Sequence, residues 1–349
     1  MRSSVKAIVF TLVVLAAALG AVPGLAAAPV RIRIGHLPIP GQILHFIAQA
    51  KGYFSDEGLD VELTPITSST NIFNALKAGK LEAAAGGTAA PLIFIANGAP
   101  FTIVGGLMGE GTALLVKPAD AAKYKNLAAF KGKKIATVRL STGDVLFRGA
   151  LKRAGIDPEK DVQFLEFKSA VESIAALDSG KVDAAVSWPP YSESSEVRKS
   201  SVVSIWSGAV APHHTCCRLV VRDDFLKENP DAVVRLLKAY VKAAKFFTQK
   251  PEESVQLASQ YLKLDAALIR PTLITEKSSY VTPDPQKKEV LDFWERMKQI
   301  GYVTGAAASF DVGSKIDGSY FKKALDQVIK ENPSDPFYKT LATDFRKDN

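Results

Sequence analysis

The chain contains few of the residues that form disulfides or bind soft metals, with two cysteines, four histidines and three methionines among its 349 residues. The cysteines are the neighbours Cys216 and Cys217, so a disulfide framework is excluded. A bond between neighbours would be strained, and we expect two free thiols. No apolar run beyond the N-terminal region reaches the roughly 18 residues of a membrane span. The sequence also lacks a basic run and a Walker A motif, which argues against a nucleic-acid-binding protein and an ATPase.

What the sequence does contain is typical of a globular protein with a substantial core. Hydrophobic residues make up 47% of the chain and charged residues 23%. The length exceeds one ordinary domain and suits two. The formal net charge is +8, a basic surplus that is compatible with an anionic ligand but says little about a buried site.

The N-terminal residues follow the pattern of a secretory signal peptide. Arg2 and Lys6 precede an apolar stretch at residues 7–19, and small residues follow this stretch at 22–28. We predict a signal peptide over residues 1–28, cleaved near residues 26–28, and a mature protein in the periplasm. A retained membrane anchor is the alternative, which the short apolar stretch disfavours. No cysteine lies near the cleavage region, so we expect no lipid anchor.

A pattern repeats along the chain at an offset of 101 residues. The most specific match is GKLEAA at residues 79–84 against GKVDAA at 180–185. Each copy predicts a strand, a helix, a second strand, a second helix and a third strand. Strands that alternate with helices indicate parallel sheets with right-handed crossovers. Two such copies predict two similar lobes.

The loops that follow the strands are the expected place for a ligand, because open α/β sheets bind ligands beyond the carboxyl ends of their strands. We expect these loops to face each other across a cleft. They lie at residues 36–42, 67–70 and 86–88 in the first lobe and at 140–144, 168–170 and 187–191 in the second.

Two apolar segments, residues 113–117 and 218–222, lie where the chain would cross between lobes, and we predict that they are hinge strands. Beyond them the sequence becomes helical, with further helices expected near 252–261, 286–300, 319–330 and 336–346. These helices should pack on the first lobe. The predicted division is residues 29–114 with 219–349 for lobe 1, and 115–218 for lobe 2.

Several motifs give the chain a family resemblance. They are IRIG at 32–35, AKGYF at 50–54, EGLDVE at 57–62, the two GK motifs, WPPY at 188–191 and CRLVV at 217–221. Together they resemble the nitrate/sulfonate/taurine solute-binding proteins of ABC importers, a family that also contains binders of thiamine pyrimidine precursors. The resemblance implies a two-lobed periplasmic binding protein fold of type II. It also implies delivery of a small molecule to a membrane permease driven by a separate ATPase.

The candidate ligand-binding residues come from the cleft loops. Hydroxyls and free backbone N–H groups at a helix N-terminus favour an anion, although helix caps and turns use the same residues without a ligand. Two aromatic residues after a strand favour an apolar wall, with packing inside the lobe as the alternative. The candidates are His36, Gln42, Ser69, Thr70, Gly87, Thr88, Ser141, Thr142, Gly143, Trp188, Tyr191 and His214.

Two further groups of residues leave alternatives open. Arg139, Arg148 and Arg218 are each able to neutralise an anion, but Arg148 is expected as an exposed helix residue. The histidine- and cysteine-rich segment 213–217 has the composition of a metal site. Its spacing disfavours one, because adjacent residues of a strand point to opposite faces. We expect a hinge loop that touches the ligand.

The sequence therefore predicts a monomeric binding protein that has no cofactor, metal or catalytic residue. The expected ligand is a small anion such as an alkanesulfonate, taurine or nitrate, or else a neutral heterocycle stacked on Trp188 or Tyr191. The alternative from another class is a metal-dependent pyrimidine-precursor enzyme of the same fold class. An exported receptor that feeds a sensor kinase would use the same site with a different partner.

Overall fold

The computed structural model describes residues 28–197, 199–276 and 278–349, so the predicted signal peptide lies almost wholly outside it. The strands within these ranges are β1 (Val30–His36), β2 (Leu59–Pro65), β3 (Ala83–Gly87), β4 (Phe101–Glu110), β5 (Ala113–Val116), β6 (Lys134–Thr137), β7 (Gln163–Glu166), β8 (Ala184–Ser187), β9 (Val202–Trp206), β10 (Thr215–Arg222) and β11 (Ser279–Val281).

Helices occupy the connections and most of the C-terminal third. The α-helices are α1 (Ile43–Ala50), α2 (Tyr53–Asp56), α3 (Ser69–Lys77), α4 (Ala89–Ala96), α5 (Thr142–Arg153), α6 (Ala170–Asp178), α7 (Tyr191–Val197), α8 (Ser207–Val210), α9 (Asp223–Glu228), α10 (Pro230–Gln249), α11 (Pro251–Leu262), α12 (Ala266–Arg270), α13 (Lys287–Gln299), α14 (Gly305–Ala308), α15 (Ser319–Glu331) and α16 (Pro336–Asp348). Short 3₁₀ turns lie at Pro40–Gln42, Pro118–Asp120, Lys123–Lys125, Leu127–Phe130 and Val312–Lys315, and a π turn at Pro271–Thr275.

The strands form two sheets with the same internal plan. The first sheet has the order β11-β4-β10-β3-β1-β2, and the second has the order β9-β5-β8-β6-β7. In each sheet three parallel strands come from one copy of the repeat, and the next strand runs antiparallel to them. Below, the first half means residues 28–110 with 215–349, and the second half means residues 111–214.

The register of the sheets confirms the duplication at an offset of 101 residues. Ile34 lies opposite Ala83 in the first sheet, and Ile135 lies opposite Ala184 in the second. The helices match as well, because Ser69–Lys77 and Ala170–Asp178 differ by the same offset at both ends. The two halves are therefore built on one repeated supersecondary unit.

The repeated GK motif has a structural role. Glu82 accepts a hydrogen bond from the Arg33 backbone N–H at 2.8 Å, and Asp183 accepts the equivalent bond from Lys134 at 2.9 Å. The motif's glycines end the preceding helices in the left-handed region, with φ of 71° at Gly79 and 77° at Gly180. The acid directly before strand β3 or β8 thus ties that strand to its parallel neighbour, at Arg33 in β1 and at Lys134 in β6.

The two segments predicted as hinge strands each form a strand inside one sheet. β5 pairs with β8 and β9 in the second sheet, whereas β10 pairs with β3 and β4 in the first. The chain changes sheets at residues 111–112 and again between residues 207 and 214, so the predicted boundaries at 114/115 and 218/219 fall within β5 and β10. The apolar patterns that suggested hinges reflect central strands buried on both faces.

The C-terminal helices extend the core of the first half, as predicted. One continuous cluster joins the first sheet to Val233, Phe293 and Leu325 from three of these helices. The second sheet has a separate cluster on each face, since Leu114 and Val116 belong to one and Ala113 and Leu115 to the other. In the described part of the chain, no helix combines the length and apolar character that crossing a bilayer requires.

The role of Glu82 predicts a local sensitivity of the fold. Glu82→Ala should lower the free energy of unfolding by about 1–3 kcal/mol, because it leaves the Arg33 N–H without its acceptor. The control is Glu62→Ala, which removes an exposed ion pair with Arg31 and should cost less than about 1 kcal/mol. Urea unfolding of both variants measures the difference, and equal losses would refute the assigned role.

Candidate functional site

A cleft lies beyond the carboxyl ends of the parallel strands and receives residues from both halves. It encloses about 680 Å³ of space, including the part that opens to solvent. Its lining consists of Leu37, Ile39, Gly41, Thr67, Ser68, Ser69, Thr70, Gly87, Met108, Gly111, Thr112, Val138, Arg139, Leu140, Ser141, Thr142, Gly143, Trp188, Pro189, Cys216, Cys217 and Thr272.

Two helix N-termini meet in this cleft, one from each half. α3 begins at Ser69 and α5 begins at Thr142, directly after strands that end at the same edge of their sheets. The first N–H groups of a helix have no partner within the helix, and the helix dipole makes this end positive. The two ends are close, because a Cβ atom built on Gly87 would lie 3.4 Å from Ser69 Oγ and 3.1 Å from Thr142 Oγ1.

The two helix N-termini differ in how far they are already capped. Ser141 Oγ accepts a hydrogen bond from the Asp144 N–H at 3.2 Å, which satisfies one donor of α5. Ser68 occupies the equivalent position before α3, but its side chain makes no capping bond. The Ser69 hydroxyl instead accepts from the Gly87 N–H at 3.0 Å. The α3 end therefore keeps more hydrogen-bonding capacity for a ligand.

The rest of the cleft wall is apolar. Leu37 and Ile39 come from the loop after β1, Met108 from β4, and Val138 and Leu140 from the loop after β6. The indole of Trp188 closes the second half's side of the wall. The cleft thus combines polar donors at two helix ends with a surface that suits hydrocarbon.

Arg139 is the one charged residue among those that line the cleft. Its guanidinium pairs with Glu166 at 2.7 Å and lies 4.6 Å from the ring centre of Tyr302. The cation is thus already paired, and the lining residues include no carboxylate. Backbone and hydroxyl dipoles are the other groups of the lining that favour one sign of charge.

Seven of the twelve predicted site residues line the cleft, and whether they bind a ligand stays a prediction. They are Ser69, Thr70, Gly87, Ser141, Thr142, Gly143 and Trp188. The other five are His36, Gln42, Thr88, Tyr191 and His214, which the structure places outside the lining.

The two histidines among these five are buried and hold main chain together. His36 donates from Nδ1 to the Leu37 carbonyl oxygen at 2.9 Å, and its Nε2 lies 3.0 Å from the Tyr261 hydroxyl. His214 donates from Nδ1 to the Ala211 carbonyl oxygen at 2.6 Å. Burial lowers the pKa of His36 and lowers that of His214 to about 4, so both rings are neutral at pH 7.

The other three lie one layer behind the cleft wall. Gln42 donates to the Ala85 carbonyl oxygen at 3.2 Å, and Thr88 donates to the carbonyl oxygen of Cys216. The Tyr191 ring packs edge-on against Trp188, with ring centres 6.2 Å apart. Five of the six predicted loops contribute residues to the lining, and residues 168–170 do not. The loop pattern also does not reveal which side chain of a loop turns inward.

The two other candidate arginines serve the fold. Arg148 is buried rather than exposed, and its Nε donates to Asp144 Oδ1 at 2.9 Å. Arg218 is fully buried and donates to several main-chain carbonyl oxygens, among them Met108 at 2.7 Å and Asp284 at 2.9 Å. Neither guanidinium is free to neutralise a ligand.

The structure adds Thr272 to the lining, and it also places there both cysteines of the segment 213–217, which was expected to touch the ligand. Cys216 and Cys217 both line the cleft, although neighbours in a regular strand point to opposite faces. The pairing of β10 with β4 shifts register on either side of Cys217, and this β-bulge turns both thiols to one side. Thr272 comes from the helical tail, where helical periodicity carries no signal of a site.

Both cysteines are free thiols, as expected. Among the residues that the structure describes, no group of three or more His, Cys, Asp or Glu side chains is arranged to hold a metal ion. The histidine- and cysteine-rich segment is thus divided between a main-chain contact at His214 and the cleft wall.

Contacts on the rim hold the two halves together. The Tyr302 hydroxyl donates to Asp144 Oδ2, and the ammonium group of Lys152 donates to the Gln299 carbonyl oxygen. Below them, Cys216 Sγ lies 3.6 Å from Thr142 Oγ1. The walls that the two halves contribute to the cleft are therefore in direct contact at Cys216 and Thr142.

Comparison with known sequences finds one matching family profile and several related chains. The profile of the NMT1-like family matches residues 26–262. A Brucella abortus (strain 2308) chain named as a binding protein is 28% identical over 261 residues, covering 74% of this chain and 80% of the relative. A Bacillus subtilis (strain 168) chain named for binding aliphatic sulfonates is 29% identical over 293 residues, covering 80% of this chain and 84% of the relative. A pyrimidine phosphate synthase of Saccharomyces cerevisiae is 26% identical over 226 residues, covering 61% of this chain and 65% of the relative.

Comparison with solved structures gives the fold. The nitrate-binding protein of Synechocystis PCC 6803 superposes with a TM-score of 0.73 at 18% identity, covering 88% of this chain and 92% of that one. The aliphatic sulphonate binding protein of Escherichia coli superposes with a TM-score of 0.65 at 21% identity, covering 77% of this chain and 94% of that one. The fold is the type II periplasmic binding protein fold that the sequence predicted.

Two glycines of α5 should respond oppositely to the same substitution. A Cβ atom on Gly143 would lie 2.1 Å from Thr112 Cγ2 and 2.6 Å from Val186 Cγ1, so Gly143→Ala should destabilise the protein by about 1–3 kcal/mol. A Cβ atom on Gly149 would meet nothing closer than 3.5 Å, so Gly149→Ala should stabilise it by about 0.5–1 kcal/mol. Chemical unfolding compares them, and a stable Gly143→Ala protein would disprove the close approach at the helix N-terminus.

The buried histidines predict a loss of stability in acid. Burial lowers the pKa of His36, His45 and His214, whereas the unfolded chain binds protons near pH 6.5. Unfolding therefore takes up protons, and stability should fall as the pH drops from about 6.5 towards 4. His214→Asn keeps a donor for Ala211 and should flatten this fall by at most about 3 kcal/mol.

The control is His213→Asn, which changes the exposed neighbouring ring. Melting temperatures measured across this pH range should show the ordinary slope for the control and a smaller slope for His214→Asn. Identical slopes in the two variants would show that His214 does not carry the effect.

Proposed function

The chain belongs to the NMT1-like family. We propose that it is the solute-binding component of an ABC importer. It captures a small organic anion in the cleft and delivers it to a membrane permease, which a separate ATPase drives. The observation that carries this proposal is the meeting of two helix N-termini in a cleft whose remaining wall is apolar.

An anion suits the polar part of the cleft. Each helix N-terminus is equivalent to roughly half a positive charge, and the two ends lie in different halves of the molecule. Ser68, Ser69 and Thr142 add hydroxyls beside the free N–H groups. An anion bridging both ends would stabilise the contact between the halves, which is the physical basis of closure on a ligand.

The composition of the wall favours an alkanesulfonate among the candidate anions. Taurine would bring an ammonium group, and the lining offers it no carboxylate. Nitrate has no hydrocarbon part and would leave Leu37, Met108 and Trp188 without contact. A sulfonate on a hydrocarbon chain uses both surfaces, since burying each methylene contributes about 0.8 kcal/mol. The Bacillus subtilis relative, which is named for aliphatic sulfonates, supports the same choice.

The proposed lobes follow the two sheets. Lobe 1 consists of residues 28–110 and 215–349, and lobe 2 of residues 113–206, with the connecting segments as hinges. Closure would present a joint surface of both lobes to the permease. The periplasm is the proposed location, supported by the predicted signal peptide and by structural neighbours that are named as periplasmic binding proteins.

A neutral heterocycle is the second candidate ligand, because Trp188 offers an aromatic face to the cleft. The relationship to a yeast pyrimidine phosphate synthase keeps a pyrimidine precursor in the panel of compounds to be tested. Nothing in the cleft favours it over a sulfonate, since a neutral ring does not need the positive helix ends.

A thermal-shift panel tests the ligand class. The panel contains alkanesulfonates of increasing length, aromatic sulfonates, taurine, nitrate and a thiamine pyrimidine precursor. A ligand at a hundred times its Kd adds about 2.7 kcal/mol, a shift of several degrees. We expect the largest shift from an alkanesulfonate with several carbons. A shift from the pyrimidine alone would contradict the anion proposal.

Two equivalent serines provide a matched pair of variants. Ser68 and Ser169 occupy the same position of the repeat, before α3 and α6. Ser68 lines the cleft and makes no capping bond, so Ser68→Ala should weaken sulfonate binding and leave the melting temperature unchanged. Ser169 lies outside the cleft and caps α6, so Ser169→Ala should cost about 1 kcal/mol of stability and leave binding unchanged. The opposite pattern would remove Ser68 from the site.

A further inference from the structure

The cleft wall contains two adjacent thiols that face the same side. The β-bulge in β10 brings Cys216 Sγ and Cys217 Sγ to 3.8 Å from each other, and both belong to the lining. Cys216 keeps 8% of its surface exposed, whereas Cys217 is fully buried. A molecule that enters the cleft therefore reaches Cys216 first and has Cys217 directly behind it.

The surroundings distinguish the two thiols chemically. The hydrogen bond from Cys217 and the nearby Thr142 hydroxyl lower the pKa of Cys216. The same pairing and complete burial raise the pKa of Cys217. The guanidinium of Arg218, the next residue along the strand, adds positive charge near both sulfurs. This is the arrangement of an attacking thiol and a resolving thiol.

We propose that Cys216 and Cys217 form a redox-active pair, which a small-molecule disulfide converts reversibly into a disulfide within the cleft wall. The Cys216 thiolate attacks one sulfur of the small molecule and releases one thiolate, which leaves a mixed disulfide. Cys217 sulfur then attacks Cys216 Sγ and releases the second thiolate. The two cysteine protons pass to the two released thiolates, so the protein loses two electrons that the small molecule gains.

The bond formed in this way would be easy to reduce again. Neighbouring Cα atoms lie about 3.8 Å apart across a trans peptide, whereas most disulfides join Cα atoms about 4.4–6.8 Å apart. A strained disulfide has a more oxidising potential than a structural one, which is the property of labile and regulatory bonds. The bulge makes the bond accessible, and the strain makes it reversible.

Oxidation would also change the contact between the halves. Cys216 Sγ lies 3.6 Å from Thr142 Oγ1, which belongs to the N-terminus of α5. Moving this sulfur towards Cys217 and removing both S–H groups would take a donor from that contact and from the cleft wall. We expect the oxidised protein to bind an alkanesulfonate about tenfold more weakly, which corresponds to the loss of one hydrogen bond. This expectation rests on the proposed function.

Mass spectrometry tests the redox pair without any assumption about the ligand. The purified chain is equilibrated with oxidised and reduced glutathione in varying ratio, quenched with N-ethylmaleimide under denaturing conditions and weighed. We expect the protein to change from two maleimide adducts to none, without bound glutathione. Two alkylated thiols at every ratio, or a stable glutathione adduct as the end product, would overturn the proposal.

Single substitutions distinguish the attacking from the resolving thiol. Cys217→Ser should accumulate one glutathione on Cys216, because no resolving thiol remains. Cys216→Ser should stay free of glutathione under native conditions, because Cys217 is buried. Melting curves establish that both variants are folded, and the wild-type result decides the proposal if one of them is not. A glutathione adduct on Cys217 alone would reverse the assignment.

The ligand measurement is made separately on the reduced and oxidised protein with butane-1-sulfonate as the probe. A weaker thermal shift after oxidation, absent in the Cys216→Ser/Cys217→Ser double variant, supports the coupling. Equal shifts in the two states would refute it. If no sulfonate shifts the reduced protein, the proposed function fails, while the mass measurement still decides the redox pair.

Discussion

Backbone N–H groups at the start of a helix have no partner inside the helix, and the site of this protein depends on that constraint. The repeat places α3 and α5 after parallel strands that end at one edge of each sheet, so both helices begin at the cleft. Burying two such ends face to face is unfavourable unless an acceptor lies between them. Arg139, the one charged lining residue, is paired with Glu166, and the anion that we propose would bring the negative charge that these two helix ends favour.

Periodicity and repetition made the fold predictable from the sequence, because they are properties of the whole chain. The motif repeated at residues 79–84 and 180–185 has the same register in both sheets, and Glu82 and Asp183 accept equivalent backbone hydrogen bonds in the two copies. Side-chain direction inside a loop is decided by local geometry instead. Histidine is a residue type expected in a binding site, but the rings of His36 and His214 are buried, and each donates a hydrogen bond to a main-chain carbonyl oxygen.

Two features of the cleft depend on distant parts of the chain, so the sequence pattern indicated neither the direction of both thiols nor the presence of Thr272. The bulge that turns Cys216 and Cys217 to one side arises from pairing of β10 with β4, more than a hundred residues earlier. Thr272 reaches the wall from the helical tail, whose amphipathic pattern describes only its packing. The segments predicted as hinges illustrate the same limit of sequence patterns. A strand buried on both faces and an apolar crossover have similar sequences, so the pattern does not distinguish them.

We propose that the N-termini of α3 and α5 together hold one anion. Backbone amide NMR spectra of the ¹⁵N-labelled protein, recorded during titration with butane-1-sulfonate, test this arrangement. We expect the largest downfield proton shifts at the amides of Ser69, Thr70, Thr142 and Gly143, with one common dissociation constant for both halves. Shifts confined to one half, or centred on Trp188 with both helix ends unchanged, would contradict it.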